Sequence, residues 1–293
     1  MAFLRLSYSQ LKVYKECKLR YTGKYIAKEK GVVDLSKALV GIAVHNAFDD
    51  WVQDPGWRTA PKEARAMLGI AIAKAWAKAK RSPHTLTPQE LNAELGRAVA
   101  MVDPLVDGIK KHGLLTRRMD IEASRTVSLS PELRVYIRPD MVVWKSPYEA
   151  ILVDGKTTQN KKYLDNEQLY FYRSFLNYEA EVPITKAGFF LFHTGEFVEV
   201  DLAKAPSTED HVAEVKGYAK DIFQLRTERE DKPIILRDCF SELANPGNAC
   251  TFCEFKDSCR KYAPEQIPKG FEKRASDKAT KLAEDMDVSF VTI

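Results

Sequence analysis

Cys250-x-x-Cys253, followed after five further residues by Cys259, is the feature that most narrows what this 293-residue chain can become. Three thiols at that spacing, behind a turn-forming Asn245-Pro246-Gly247, have the look of metal ligands, and a protein site of this kind needs a fourth. Two residues compete for that place. Cys239 is local and would complete a compact Cys₄ zinc site. Cys17 lies near the other end of the chain and would draw its two ends together. All-sulfur ligation suits zinc or a 4Fe–4S cluster equally, so the spacing alone does not choose.

Five is also an odd count, which argues against a disulfide framework. The start, MAFLRLSYSQ, has no apolar leader-like run, so secretion is not expected and a cytoplasmic location is. A hydrophobic fraction of 45% can build a core, and the 29% of charged residues are dispersed, which excludes a disordered or low-complexity chain. No apolar run approaches the ~20 residues that span a bilayer. A net charge of +4 permits a nucleic-acid partner without arguing for one.

Periodicity divides the chain. Helical patterns are expected over residues 7–30, opened by a Ser7-x-x-Gln10 capping pattern, then over 35–52, 61–81 and 88–111. Three consecutive strands are expected at 120–129, 133–144 and 149–157, with Ser-Pro turns between them. A helix at 164–178, a hairpin about Thr194-Gly195 and a long helix over 208–229 follow. The pattern is that of an α/β chain with a helical N-terminal part.

The chemistry concentrates at Pro139-Asp140 and Asp154-Gly155-Lys156. Two aspartates on neighbouring strands, with Lys156 two positions beyond Asp154 on the same strand face, bring two carboxylates and an ammonium together. Paired hard oxygen ligands suit Mg²⁺ or Mn²⁺, and a lysine beside them can orient a metal-bound water or stabilise charge on a phosphate oxygen. Gln168 and Tyr172, at i and i+4, share one face of the following helix. His45 lies four residues after Gly41 on the second helix, and Glu122 opens the strand before Asp140.

These motifs resemble the PD-(D/E)XK nuclease superfamily, with Pro139-Asp140 as the PD and Asp154-Gly155-Lys156 as the (D/E)XK. The run LVDGKT followed by Gln168-x-x-x-Tyr172, together with Gly41-x-x-x-His45, is similar to the RecB-like branch. The cysteines narrow the likeness to its iron–sulfur group, which includes the AddB nuclease domain and CRISPR-associated exonucleases. There, Leu6-Ser-x-Ser-x-Leu11 precedes an aromatic (Tyr14 here) and a first cysteine, Cys17. One departure is Tyr136-Ile137-Arg138, where the family usually places a glycine before the PD.

The resemblance implies a restriction-endonuclease-like central mixed sheet flanked by helices, stapled between its N- and C-terminal segments by an iron–sulfur cluster. It implies one unit over 1–267, with a helical part (1–115), a catalytic core (116–235) and a cysteine segment (236–267), then a charged, flexible tail over 268–293. His45, Asp140, Asp154 and the Gly155 carbonyl would hold Mg²⁺ or Mn²⁺. Lys156 would be catalytic, while Gln168, Tyr172 and Glu122 would support the site or contact DNA. Cys17, Cys250, Cys253 and Cys259 would bind a 4Fe–4S cluster, leaving Cys239 as a structural thiol. The implied activity is metal-dependent DNA hydrolysis, chiefly exonucleolytic on single-stranded ends. It would serve recombination, repair, or phage and CRISPR-related processing in a bacterial, archaeal or phage-infected cell. Helicase, integrase or recombination proteins are the implied partners, and no membrane is. A nuclease-like subunit that only grips DNA is the alternative.

Overall fold

The computed structural model describes residues 3–31, 34–54, 56, 63–115, 118–180, 182–229 and 236–267. The charged tail expected over 268–293 lies outside them. The chain forms two compact units, one of residues 1–9 and 33–223, the other of residues 10–32 and 224–293.

The first unit is built on a five-stranded sheet. Its strands are β2 (Met119–Ile121), β5 (Met141–Ser146), β6 (Glu149–Lys156), β7 (Ile184–Leu191) and β8 (Glu196–Val200), adjacent in that order. Only the β6–β7 pair is parallel, so the sheet is mixed as expected. A parallel pair needs a crossover, and helix α7 (Asn166–Ala180) provides it. Three further strands, β1 (Leu4–Ser7), β3 (Arg125–Ser130) and β4 (Leu133–Ile137), form a separate sheet in the order β1-β4-β3.

This second sheet corrects the three-strand expectation. The segments 120–129 and 133–144 each split into two strands that enter different sheets. Pro139 explains one break, because it has no amide hydrogen to donate and cannot continue a ladder. Glu122 marks the other, with a left-handed φ of 50° that ends β2. The breaks matter because Asp140 sits at one of them, immediately before β5, rather than inside a strand.

Among the described residues, four helices share one hydrophobic cluster with a face of the five-stranded sheet: α3 (Leu39–Gln53), α4 (Ala64–Ala79), α5 (Pro88–Val99) and α6 (Val102–Lys111). The expected helix over 88–111 is thus two. Thr87 starts α5 with a capping box, its hydroxyl and the Glu90 carboxylate each accepting the other's backbone amide. On α3, residues 40, 43, 44, 47, 48 and 51 follow the helical period and are buried. They pack with Met141, Val143, Ile151, Val153, Phe190 and Phe192 in one hydrophobic cluster. Helix α7 contacts β6 and β7 as well as β3 and β4. A buried hydrogen bond of 2.7 Å between Ser174 on α7 and His211 ties it to the long helix α8 (Thr208–Arg229).

The second unit joins chain segments from both ends of the sequence. The expected helix over 7–30 is interrupted at Cys17, giving α1 (Tyr8–Glu16), α2 (Lys18–Tyr21) and a π-helical turn at Thr22–Ile26. Cys17 is the N-cap of α2, its sulfur accepting from the Arg20 amide at 3.5 Å. From the C-terminal side come α9 (Leu236–Leu243), a 3₁₀ turn at Asn248–Phe252 and α10 (Lys256–Tyr262). No helix among the described residues is long and apolar enough to cross a membrane.

Candidate active site

Sheet register brings the acidic residues together. Met141 pairs with Val153 between antiparallel β5 and β6, so Asp140 stands across from Asp154 at the end of the ladder. The gap is closed by a hydrogen bond, Gly155 N donating to Asp140 Oδ2 at 2.8 Å. A side chain at position 155 would collide with the Phe192 ring. Glycine between Asp154 and Lys156 therefore lets the aromatic core reach the floor of the site.

Alternation along β6 points Asp154 and Lys156 to the same face, and their charged groups meet at 2.5 Å. The Asp154 side chain is only 3% exposed. Apart from that ion pair, Asp154 Oδ2 has no hydrogen-bond partner among the described residues. Lys156 Nζ reaches Gln168 Oε1 at 3.5 Å, and Gln168 Nε2 donates to the Tyr172 hydroxyl at 3.2 Å. On α7, Gln168 thus links the lysine to the Tyr172 hydroxyl. Tyr172 is buried, as are Tyr170 and Phe171, so none of the three presents an open ring to a ligand.

His45 enters from α3, with Nδ1 3.6 Å from Asp140 Oδ2. Gly41, one turn earlier, lies against the end of β6, where a Cβ would sit 3.3 Å from Thr157 Oγ1. The small residue holds the helix close enough for His45 to reach the carboxylates. Glu122 is tied in through its backbone, which donates to the Asp140 carbonyl at 2.9 Å, and its carboxylate pairs with Arg138.

Electrostatics show what this cluster lacks. Burial, then repulsion from Asp140, pushes Asp154 up to about 6 against the pull of Lys156. Burial likewise lifts Asp140 to about 6, opposed by the Gly155 amide and Lys156. Burial lowers His45, keeping its imidazole neutral and able to ligate. Asp49, one turn beyond His45, was not singled out from the sequence. Burial, then repulsion from Glu122 and Asp140, raises it to about 7. Its i, i+4 relation to His45 was the one available signal.

Asp140, Asp154, Asp49 and Glu122 outnumber the cations beside them, Lys156 and Arg138, and the cluster has room for a further positive charge. The donor set of two carboxylates and a neutral imidazole fits a hard divalent ion. Asp154 Oδ2, buried with Lys156 as its one cationic partner among the described residues, adds to that fit. Even so, among the described residues no three His, Cys, Asp or Glu side chains are arranged to hold an ion as they stand. The ligand sets are present by type and neighbourhood, and not as closed sites.

The cysteines form a second neighbourhood, inside the second unit. Cys17, Cys250, Cys253 and Cys259 line one cavity of about 280 Å³, whose wall includes Leu19 and Phe240. Cys239 is buried on α9 and is not part of the lining. Backbone amides of Gly247 and Phe255 donate to the sulfurs of Cys250 and Cys253, each at 3.4 Å. Burial, then Cys253, Cys17 and Cys250, raises the Cys259 thiol to about 11. Four thiols that influence one another, with amides aimed at three sulfurs, form a donor set suited to a metal or cluster. Beside them, Glu254 accepts from Arg20 at 2.8 Å and Lys24 at 3.0 Å.

Comparison with known proteins bears on the first unit's chemistry most directly. No curated protein matches the chain. Among solved structures, the crystal structure of SSO0001 aligns over 78% of this chain and 86% of its own at 14% identity. Its TM-score of 0.32 is too low to carry an argument. The model of one family matches residues 5–260, spanning both sheets and the cysteine segment. The chain belongs to the PD-(D/E)XK nuclease superfamily.

Proposed function

We infer from the family that this chain is a nuclease dependent on a divalent metal ion, with DNA as its substrate. We propose, more narrowly, an exonuclease of the RecB-like iron–sulfur group that degrades single-stranded ends. One observation carries the catalytic reading: Asp140, Asp154 and Lys156 meet at one end of the β5–β6 ladder, with His45 facing them.

Asp140, Asp154 and His45, with the Gly155 carbonyl, would hold Mg²⁺ or Mn²⁺. When bound, that ion polarises the scissile phosphate and acidifies a water. Lys156, kept extended by Gln168, orients the attacking oxygen and meets the charge that develops on the phosphate. Buried Tyr172 backs Gln168 and does not touch substrate. Arg138 holds the Glu122 carboxylate at the edge of the cluster. Cys17, Cys250, Cys253 and Cys259 would take a 4Fe–4S cluster that pins segments 10–32 and 236–267 to each other.

The test uses 5′- and 3′-labelled single- and double-stranded DNA with Mg²⁺ or Mn²⁺. Wild type should shorten single strands from an end, and Lys156→Ala should be slower by roughly 10²–10³-fold. Equal cleavage by both proteins sinks the catalytic assignment, and internal cuts in closed circles sink the exonuclease one. Anaerobically purified protein should be brown and contain about four irons per chain. Colourless protein carrying zinc refutes the cluster.

A further inference from the structure

The three aromatics that follow one another on α7, Tyr170, Phe171 and Tyr172, are all buried and unavailable to a nucleobase. An exposed ring lies instead on the segment that follows the strand of Lys156. Tyr163 is 66% exposed, seven residues beyond Lys156, in the segment that leads from β6 to α7. The middle and the end of this segment are held by contacts to other parts of the fold.

Midway along it, Lys161 pairs with Glu196 at 2.7 Å. Glu196 lies opposite Leu191 on β7, which lies opposite Lys156 on β6, so the anchor is two strands from the lysine. That is about 10 Å across the sheet. At its end, the Tyr8 hydroxyl donates to Asp165 Oδ2 at 2.7 Å, just before α7 and the Gln168 that touches Lys156. Around the first anchor the backbone is shaped by its own side chains. Thr158 Oγ1 accepts from Asn160 N at 3.2 Å, and Asn160 Oδ1 accepts from Lys162 N at 3.1 Å.

Lys162 lies over the Tyr163 ring at 5.1 Å and has no carboxylate within ion-pairing distance among the described residues. The segment thus presents an exposed aromatic ring with Lys162 over one face, a cation with no acidic partner among the described residues, and a second, Lys161, in an exposed pair. Exposed pairs of this kind contribute little and yield readily to a phosphate.

We infer that Tyr163 is the stacking platform for an unpaired nucleobase of the DNA strand entering the site, with Lys162 and Lys161 on its flanking phosphates. An open ring takes a base by its face. In a duplex that face is covered by the neighbouring base pairs, so the platform selects single-stranded DNA. This rests on the nuclease reading above and adds to it the residue that recognises the strand.

The test is binding of a fluorescent oligothymidine, and of a matched duplex, to the full chain carrying Lys156→Ala to prevent turnover. Tyr163→Ala on that background should raise the single-strand Kd roughly tenfold, the usual worth of one base–aromatic stack, and leave duplex binding within twofold. Tyr163→Phe should keep wild-type affinity, because the ring and not the hydroxyl is used. An abasic residue walked along the oligonucleotide should weaken binding at one position with Tyr163 present and make no difference there with Tyr163→Ala. The inference is overturned by unchanged single-strand affinity in Tyr163→Ala, by equal losses for both strand forms, or by an abasic effect that persists without the ring. A protein with Tyr163 intact that neither binds nor cuts DNA removes the nuclease reading as well, a result distinct from these three.

Discussion

The carboxylate cluster and the cysteine cavity are both collections of buried, electron-rich ligands, yet they are assembled in opposite ways. Asp140, Asp154 and Lys156 fall within 17 consecutive positions and meet through the register of one antiparallel pair. The four cysteines come from opposite ends of the chain and share a cavity through helix and turn packing in the second unit. The carboxylates have a cation of their own in Lys156. Three of the sulfurs accept from backbone amides, and Arg20, paired with Glu254 beside them, adds a charge near Cys253. A cluster built on sheet register keeps its geometry without an added ion, whereas one built on loops and short helices depends more on whatever it binds.

The comparison breaks most sharply at Asp154. Asp154→Asn keeps the shape but removes a ligand charge, so cleavage should fall by roughly 10²–10³-fold or more in the labelled-DNA assay. The metal-free protein should melt no lower than wild type, since a carboxylate that burial disfavours has been replaced by a neutral group. A large drop in melting temperature would mean that Asp154 is structural.

In the cysteine unit the expectation is reversed, with stability affected first. Cys17→Ser should lose most of the bound iron and several kcal/mol of stability, because ligand binding there is coupled to folding. Cys239→Ser, outside the cavity, should keep its iron. Iron analysis and calorimetry on the two variants decide between them, and iron lost from Cys239→Ser but kept in Cys17→Ser would reverse the assignment of the fourth ligand.

Gly155→Ala sets a methyl against Phe192 and should cost about 1–3 kcal/mol, the usual penalty of overpacking a close-fitted core. An unshifted denaturation midpoint would show that the aromatic ring yields.

The smallest effect is a pH dependence. Burial raises Asp140 and Asp154 to about 6 in the folded chain, above the ~4 of an unfolded one. Between those values the folded state binds more protons, so their contribution is full below about pH 4 and is lost as pH rises through about 6. Metal-free protein should lose this stability over that window, while the stabilisation by added Mn²⁺ should grow with pH as the ligands ionise. Melting curves with and without Mn²⁺ at pH 5 and 8 measure both, and equal Mn²⁺ shifts at the two pH values would remove the carboxylates from the ion's ligands.

Much of the site was legible because its spacing is short. Alternation on one strand places Asp154 beside Lys156, and one helical turn places Gln168 beside Tyr172, whatever the rest of the fold does. Asp49 and Phe192 were not legible, since an acid on a helix and a phenylalanine in a strand look ordinary until packing brings one near Glu122 and the other under Gly155. The split of 120–129 and 133–144 into two sheets was missed for the same reason. Pro139 signals a break, but where each half then pairs is decided by distant partners such as β1.

The cysteine pattern that narrowed the problem at the outset divides along the same line. Composition and spacing by themselves determined that the chain has a core, that three thiols stand at ligand spacing, and that two carboxylates and a lysine share a strand end. Those follow from periodicities of two and of 3.6 residues, which act locally. Only the tertiary structure decided that Cys17 and not Cys239 lines the cavity, and that Tyr163 rather than the α7 aromatics is open to solvent. Burial and long-range contact depend on how elements pack, and a linear sequence does not carry that information in any single stretch.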